Sequence, residues 1–346
     1  MGLATHLQLP DLVALQLQGW SDEALATAQI EGEILQLNSV RASVARRLGL
    51  ADGKKKRDAR AEATLNLLQG ALQNSHRALS HQTLFDWQAA LFPTGRSGTQ
   101  KILTGAYRTH SEPMQIVTPR MGKPDLVHYQ APASEDVKGH MDLFIQWFNS
   151  SLGKQDGLVR AALAHLWFET IHPFEDGNGR IGRALVEMAL AQDLQTEQRL
   201  WSLSQQIWHE RSAYYEQLQS ATSSANMDVT PWVQWFVACI HKAADSSWGQ
   251  MQSAMRKTRF WADLRELHLS LTPSQSKAIN KLYDAGPDGF SGGLSTEKYV
   301  NLCGVSRATA YRELTALCEA GLLVQTGSGR GTRYQLHHAE GMGSAL

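Results

Sequence analysis

A chain of 346 residues, 42% hydrophobic and 19% charged, is long enough for two or three domains and too apolar to be disordered. Its formal net charge is zero, so no global field draws it onto nucleic acid or a membrane, and any such binding must come from a local patch. The three cysteines, Cys239, Cys303 and Cys318, are widely spaced; they indicate neither a disulfide framework nor a zinc site and fit a reduced, cytoplasmic setting.

Residues 1–20 lack a basic leader, and Asp11 and several glutamines interrupt their apolar residues, so they do not read as a signal peptide. No run of about 18 apolar residues occurs, and no membrane span is expected. Ser21-Asp22-Glu23 reads as a helix N-cap ahead of apolar residues at Leu25, Ile30, Ile34 and Leu37. The basic run 54–57 reads as a solvated loop, and a second helical block covers 60–91, closed by Phe92-Pro93-Thr94-Gly95. Over 95–132 the composition shifts to Gly, Pro, Thr and Ser. There 114–118 and 126–129 alternate as the strands of a β-hairpin turning at 120–124.

Helices are then predicted over 134–150, 157–171, 178–192, 205–220 and 230–267. From Leu271 the order is helix, turn, helix, then strands at 321–325 and 333–336, the order of a winged helix-turn-helix. The expected fold class is mainly α, with a small hairpin inserted between helices and a C-terminal winged helix. The expected organisation is an N-terminal helical region at 1–94, a core at 95–245, a linker helix at 246–270, a winged helix at 271–338 and a tail at 339–346.

The chemistry concentrates in His172-Pro173-Phe174-Glu175-Asp176-Gly177-Asn178-Gly179-Arg180-Ile181-Gly182-Arg183. The helix opening at Asn178 carries an apolar stripe of Ile181, Ala184, Leu185 and Met188. Arg180 and Arg183 lie in its first two turns, where a cation opposes the helix dipole at a cost of roughly 0.3–1 kcal/mol. An anion between them relieves that cost. Gly177 and Gly179 admit a close approach and positive φ, so backbone N–H groups there form an anion-binding concavity. Asp176 is a hard-oxygen ligand suited to magnesium, and His172 is a base of near-neutral pKa, with Phe174 turned inward as an anchor. A Gly-Lys-Ser/Thr phosphate loop and a His-Glu-x-x-His helix are both absent.

This run resembles the signature of the Fic family, His-x-Phe-x-Asp/Glu-Gly-Asn-Gly-Arg-x-x-Arg, at every fixed position. The resemblance implies a Fic-type helical core and transfer of AMP from ATP, with Mg2+, to a hydroxyl side chain (Ser, Thr or Tyr) of a target protein or of the chain itself. It implies His172 as the base, Asp176 as the metal ligand, and nucleotide contacts from Gly177, Asn178, Gly179, Arg180, Ile181, Gly182 and Arg183. The hairpin at 114–129 resembles the family's flap, which holds a target segment by strand pairing. Tyr214, in the pair Tyr214-Tyr215, is either a wall for adenosine or core packing; a similar Tyr in family members favours the wall. Thr27-Ala28-Gln29-Ile30-Glu31-Gly32 resembles the family's inhibitory motif, which implies a regulatory role for Thr27, Glu31 and Gly32. Thr27 and Glu31 share a helix face, and a carboxylate on Arg183 takes the guanidinium meant for the outer phosphate.

In the C-terminal module, Gly304-Val305-Ser306 reads as a turn and N-cap. Ser306, Arg307, Thr309, Ala310 and Arg312 are expected outward, and Ala308, Tyr311, Leu314 and Leu317 inward. Arg330 and Arg333 fall on the wing. Between 271 and 336, seven Lys/Arg stand against five Asp/Glu, a net of +2, which leaves both DNA binding through 295–334 and protein docking or dimerisation open. Two alternatives to AMP transfer remain: a DNA-binding regulator whose core senses nucleotide, and an enzyme that removes AMP with Glu31 positioning water.

Overall fold

The mostly apolar segments Ala161–Ile171 and Ile181–Ala191 follow one another closely and become the paired central helices of the fold. The computed structural model describes residues 9–50, 58–112, 114–118, 126–223, 228–285 and 292–337. The basic run at 54–57, the hairpin turn at 120–124 and the tail after 338 lie outside them. The chain divides into a larger unit, Gln16–Ala244, and a smaller one formed by Met1–Leu15 and Asp245–Leu346.

In order, the helices are α1 (Leu9–Ile30), α2 (Leu37–Arg47), α3 (Ala59–Gln73) and α4 (His81–Leu91). Two antiparallel pairs follow, β1 (Arg96–Ser97) with β2 (Gln100–Lys101), and β3 (Gln115–Thr118) with β4 (Leu126–Gln130), the second with a register shift between Ile116 and Val117. Then come α5 (Ser134–Ser150), α6 (Gly157–Ile171), α7 (Asn178–Leu194), α8 (Leu203–His209), α9 (Arg211–Ser223) and α10 (Thr230–Glu266). The expected mainly helical class and the inserted hairpin are found. The expected helix at 205–220 is instead α8 and α9, broken at Glu210, and the β1–β2 pair was not foreseen.

Both α6 and α7 are buried along most of their length, so neither shows a strong polar face. Phe144, Phe148, Phe168, Phe174, Trp232 and Phe236 pack with them into the main core. A smaller cluster of Ala24, Ala28, Val40, Val44, Leu65 and Leu68 joins α1 to α2 and α3.

The start of α1 differs from expectation. Ser21-Asp22-Glu23 lies inside the helix: Ser21 Oγ bonds back to Leu17 O at 2.6 Å, and Glu23 is fully buried. Glu23 accepts from Ser202 Oγ (2.8 Å), Ser204 N (3.0 Å) and Ser204 Oγ, so it caps the amino end of α8 from across the fold. Arg199 stands between Glu23 (3.3 Å) and Glu187 (2.5 Å), all three buried. Glu23, Thr27 and Glu31 recur every four residues, so this anchor sets which face of α1 turns inward. The apolar period does not continue past Ile30. Gly32 interrupts it at φ 75°, and Ile34 is exposed.

In the smaller unit, α11 (Pro273–Asp284), α12 (Thr296–Cys303) and α13 (Arg307–Glu319) precede the antiparallel pair β5 (Leu323–Thr326) and β6 (Arg333–Leu336). Thr272 and Gln275 form a capping box, Gly304 turns the chain at φ 70°, and Ser306 caps α13 through Thr309 N at 3.1 Å. Phe260 and Leu264 of α10 pack into the same core as Ile279, Tyr299, Leu314 and Tyr334.

The inward face of α13 is one step out of the expected phase. Ala310 is buried and Ala308 exposed, while Tyr311 is 64% exposed. The inner face runs Ala310, Glu313, Leu314, Leu317. Glu313 is tolerated inside because Tyr299 OH (2.8 Å) and Thr272 Oγ1 (2.9 Å) both donate to it.

Candidate functional site

The loop between α6 and α7 is closed by its own side chains. Asn178 Oδ1 accepts from Phe174 N at 2.9 Å and its Nδ2 donates to Phe174 O at 2.8 Å. That side chain is spent on the loop, so only the backbone of Asn178 is left for a ligand. Gly177 begins the helix at φ 90°, and a Cβ there would lie 3.0 Å from the Phe92 ring. Both the backbone and the neighbour therefore require glycine.

His172 caps α6 in the left-handed region, at φ 49°. A non-glycine residue there costs of order 1–3 kcal/mol and persists only when the surroundings over-determine it. Arg108 does so. Its Nε donates to His172 O (2.9 Å), its Nη2 to Pro132 O (2.6 Å) and its Nη1 to Ser134 Oγ (2.8 Å), while its backbone N–H donates to Pro173 O (2.9 Å). Nothing in the local sequence marked Arg108, because its partners come from distant turns.

The imidazole Nδ1 lies 3.3 Å from the Glu169 carbonyl, which only accepts. Nδ1 thus carries the proton, and Nε2 keeps its lone pair. Burial lowers the pKa of His172, the Glu169 carbonyl opposing, so the neutral base form is held near pH 7.

Asp176 accepts from Ser97 Oγ of the unforeseen β1–β2 pair and from Gly177 N at 2.6 Å, and Arg180 Nη2 lies 3.7 Å away. Glu175 points elsewhere, accepting from Leu103 N at 2.9 Å.

Both arginines of α7 are buried and both meet carboxylates. Arg183 donates through Nη2 to Glu31 Oε1 (2.7 Å) and through Nε to Thr27 Oγ1 (2.8 Å). Arg180 donates through Nη1 to Glu33 Oε1 (2.9 Å). Glu31 lies directly over Gly179, where a Cβ would collide with its Oε1. A carboxylate therefore already occupies the amino end of α7. Gly32 makes the double contact available. Gly32 N–H donates to Gln29 O (3.0 Å) and Glu33 N–H to Ala28 O (2.9 Å), a Schellman end that turns the chain between the two acids. Sequence reading found Glu31 and missed Glu33, whose only signal is its place just after the glycine. Tyr215 OH, on the more exposed of the two tyrosines, holds the end of α1 through Ile30 O at 3.2 Å.

Three expected contacts are placed differently. Ile181 is fully buried in the main core, and Gly182 faces Glu169 and His165. Any ligand contact from these two is confined to backbone. Tyr214 is 2% exposed, its OH 2.9 Å from His165 Nε2 among Trp232 and Trp235. Of the two readings for Tyr214, the structure takes core packing. The β3–β4 pair is tied to α6 by Tyr129 OH, which donates to Thr170 O at 2.8 Å.

Residues 78–190 match the model of the Fic/DOC family. This chain carries a Fic domain. Residues 1–50 match a domain of unknown function, DUF4172, and residues 291–337 match the C-terminal domain of DIP2311-like transcriptional regulators. The chain is 27% identical over 143 residues, 40% of its length, to a protein adenylyltransferase Fic of Nematostella vectensis, and 33% identical over 115 residues, 33% of its length, to that of Drosophila willistoni. These matches cover 30% and 21% of the relatives' own lengths.

The fold resembles a Fic family protein from Desulfovibrio desulfuricans G20, with TM-score 0.51 and 21% identity over 94% of this chain and 88% of that one. It also resembles a Fic-domain signalling protein from Bacteroides thetaiotaomicron VPI-5482, with TM-score 0.54 and 20% identity over 72% and 91%. No helix among the described residues is long and apolar enough to cross a membrane.

Proposed function

We propose that the Fic domain transfers AMP from ATP to a hydroxyl side chain of a protein, on a target or on itself, and that the end of α1 holds it inactive. One observation carries the reading. The Glu31 carboxylate lies over Gly179 on Arg183, so the amino end of α7 is an anion site within reach of the loop that begins at His172. In this reading a triphosphate takes the place of Glu31 and Glu33, with Arg180 and Arg183 on its outer phosphates. His172 Nε2 takes the proton of the attacking hydroxyl, and Arg108 holds the imidazole on its strained cap. The β3–β4 pair, tied to α6 through Tyr129, guides a target strand in this reading.

Asp176 fits a magnesium ion by donor chemistry. It is a partly exposed carboxylate whose oxygens, among the described residues, are engaged by Ser97, the Gly177 N–H and, more distantly, Arg180. No cluster of three His, Cys, Asp or Glu forms among the described residues, which suits an ion completed by phosphate and water oxygens. Magnesium would supply neutralisation of phosphate charge.

Intact-mass spectrometry after incubation with each nucleoside triphosphate and magnesium tests this reading. Glu31→Gly should gain the mass of AMP with ATP, and adding His172→Ala should lose at least 100-fold in that rate, the low end of general-base catalysis. Equal labelling of both proteins would remove His172 from the mechanism.

A second reading applies to the smaller unit alone. Arg307, Tyr311 and Arg312 are exposed on the second helix of a helix-turn-helix, and the segment matches part of a transcriptional regulator. This supports duplex DNA binding. The affinity for DNA should fall steeply as salt rises and drop further in Arg307→Ala/Arg312→Ala. Affinity indifferent to salt would favour protein docking.

A further inference from the structure

Glu169 is the buried ionisable group that the reaction above leaves unused. It lies in the last turn of α6 and is 5% exposed. Its Oε2 is 3.8 Å from His172 Nδ1. Its Oε1 is buried and has no hydrogen-bond partner among the described residues. The space for it exists because residue 182 is glycine: a Cβ there would be 2.6 Å from Glu169 Oε1 and 3.0 Å from His165 Nδ1.

The ionisable groups around this carboxyl are His165 and His172 from α6 and its cap, Arg183 from α7, Glu31 from the end of α1, and Tyr214 and Tyr215 from α9. One arginine thus serves two carboxyl groups. Its Nη2 is on Glu31, and its Nη1 is buried without a hydrogen-bond partner. A buried carboxylate without hydrogen bonds is costly. Burial, and after it the charge of Glu31, push Glu169 up to about 8 against the pull of Arg183. Beside a docked Glu31 it keeps its proton at neutral pH. When Glu31 leaves, the like charge goes, Arg183 loses its other carboxylate, and the ionised form is favoured.

We propose that Glu169 is a positioning residue for the base, the group through which the docked end of α1 reaches His172. The proposal rests on the adenylyl-transfer reading. With Glu31 docked, the carboxyl nearest Nδ1 is neutral, and the negative charge that reaches the imidazole is that of Glu31 and Asp176. With Glu31 withdrawn, the Glu169 carboxylate faces Nδ1–H and stabilises the imidazolium that forms when Nε2 takes the hydroxyl proton. Docking at Arg183 therefore both occupies the phosphate site and keeps the carboxyl beside Nδ1 neutral.

The test is the NMR titration of the His172 imidazole, without nucleotide, in four proteins: wild type, Glu169→Gln, Glu31→Gly and the double variant. Glutamine has nearly the shape of the neutral acid, so the fold should tolerate it. In the Glu31→Gly background, Glu169→Gln should lower the His172 midpoint by about one unit. In the wild-type background it should leave it unchanged. Against Glu31→Gly, the double variant should show kcat for AMP transfer down several-fold with the KM for ATP unchanged.

Infrared difference spectra of wild type and Glu31→Gly at pH 7 give a second readout. The carbonyl stretch of a protonated carboxyl should be lost in Glu31→Gly, and that difference should vanish when residue 169 is Gln. An equal shift in both backgrounds, or none in either, would overturn the proposal. If the conditional shift appears and none of the four proteins transfers AMP, the adenylyl-transfer reading fails by itself. AMP transfer without the shift sinks only the role of Glu169.

Discussion

Glu31→Gly should transfer AMP from ATP about 100-fold faster than the wild-type chain, read as the rate of mass gain under matched nucleotide and magnesium. The magnitude follows from geometry. Arg183 is held by Glu31 at 2.7 Å, so phosphates that bind while this contact lasts sit displaced, and a misplacement of about 1 Å costs of order 100-fold. Glu33 separates two forms of the idea. If the brake works by occupying both guanidiniums, Glu33→Gln frees Arg180 and should give a smaller gain, while the double variant exceeds either alone. If only Arg183 matters, Glu33→Gln stays at the wild-type rate. Equal rates for wild type and Glu31→Gly would discard the brake and leave the contact as a structural ion pair.

Arg199→Met should lower unfolding stability by about 3–5 kcal/mol, because it strands Glu23 and Glu187 as buried carboxylates without a counter-charge. The loss should depend on pH. Burial already pushes Glu187 up to about 7 from 4.5, with Arg199 pulling the other way. A carboxyl whose folded pKa is raised binds its proton more readily folded than unfolded, so stability declines as pH climbs through that interval. Without Arg199 the decline steepens and extends to higher pH. Chemical denaturation of the variant should therefore show a larger deficit at pH 8 than at pH 5. A deficit under 1 kcal/mol at both would mean that water reaches the pair. Since Glu23 lies on the face of α1 that presents Thr27 and Glu31, the variant should also loosen the docked segment.

The site divides into residues whose role is local and residues whose role is assembled. His172 through Arg183 were legible because their chemistry is written in consecutive positions: a cap, an Asx-closed loop, a glycine at φ 90° and two arginines on one helix. Glu31 was legible because a short motif preserves its spacing from Thr27. Arg108, Ser97, Glu33 and Glu169 were not. Each is an ordinary residue in its own stretch of chain, and gains its meaning from a carbonyl, carboxylate, guanidinium or imidazole brought to it by another segment. Ile181 and Tyr214 went the other way. Position in a motif or beside another tyrosine says nothing about which side of a helix is covered, and here both sides of α7 and the Tyr214 side of α9 are. The same limit displaced the face of α13. Ala310 was expected outside and Tyr311 inside, and Glu313 joins the inner face only through the convergence of Tyr299 and Thr272.

The amino-acid sequence by itself determined the helical class, the hairpin inserted at 115–130, the C-terminal helix-turn-helix with its paired strands, and the run of residues at the amino end of α7. These follow from local periodicity, caps and glycines, which act over a few residues and need no partner. Tertiary structure alone decided which charges share a space. Burial of Arg180, Arg183 and Arg199 demanded carboxylates, and each is answered by one from α1 or its end more than 140 positions away, with Glu187 of α7 joining at Arg199. Desolvation sets that demand, and it exists only once the chain has folded.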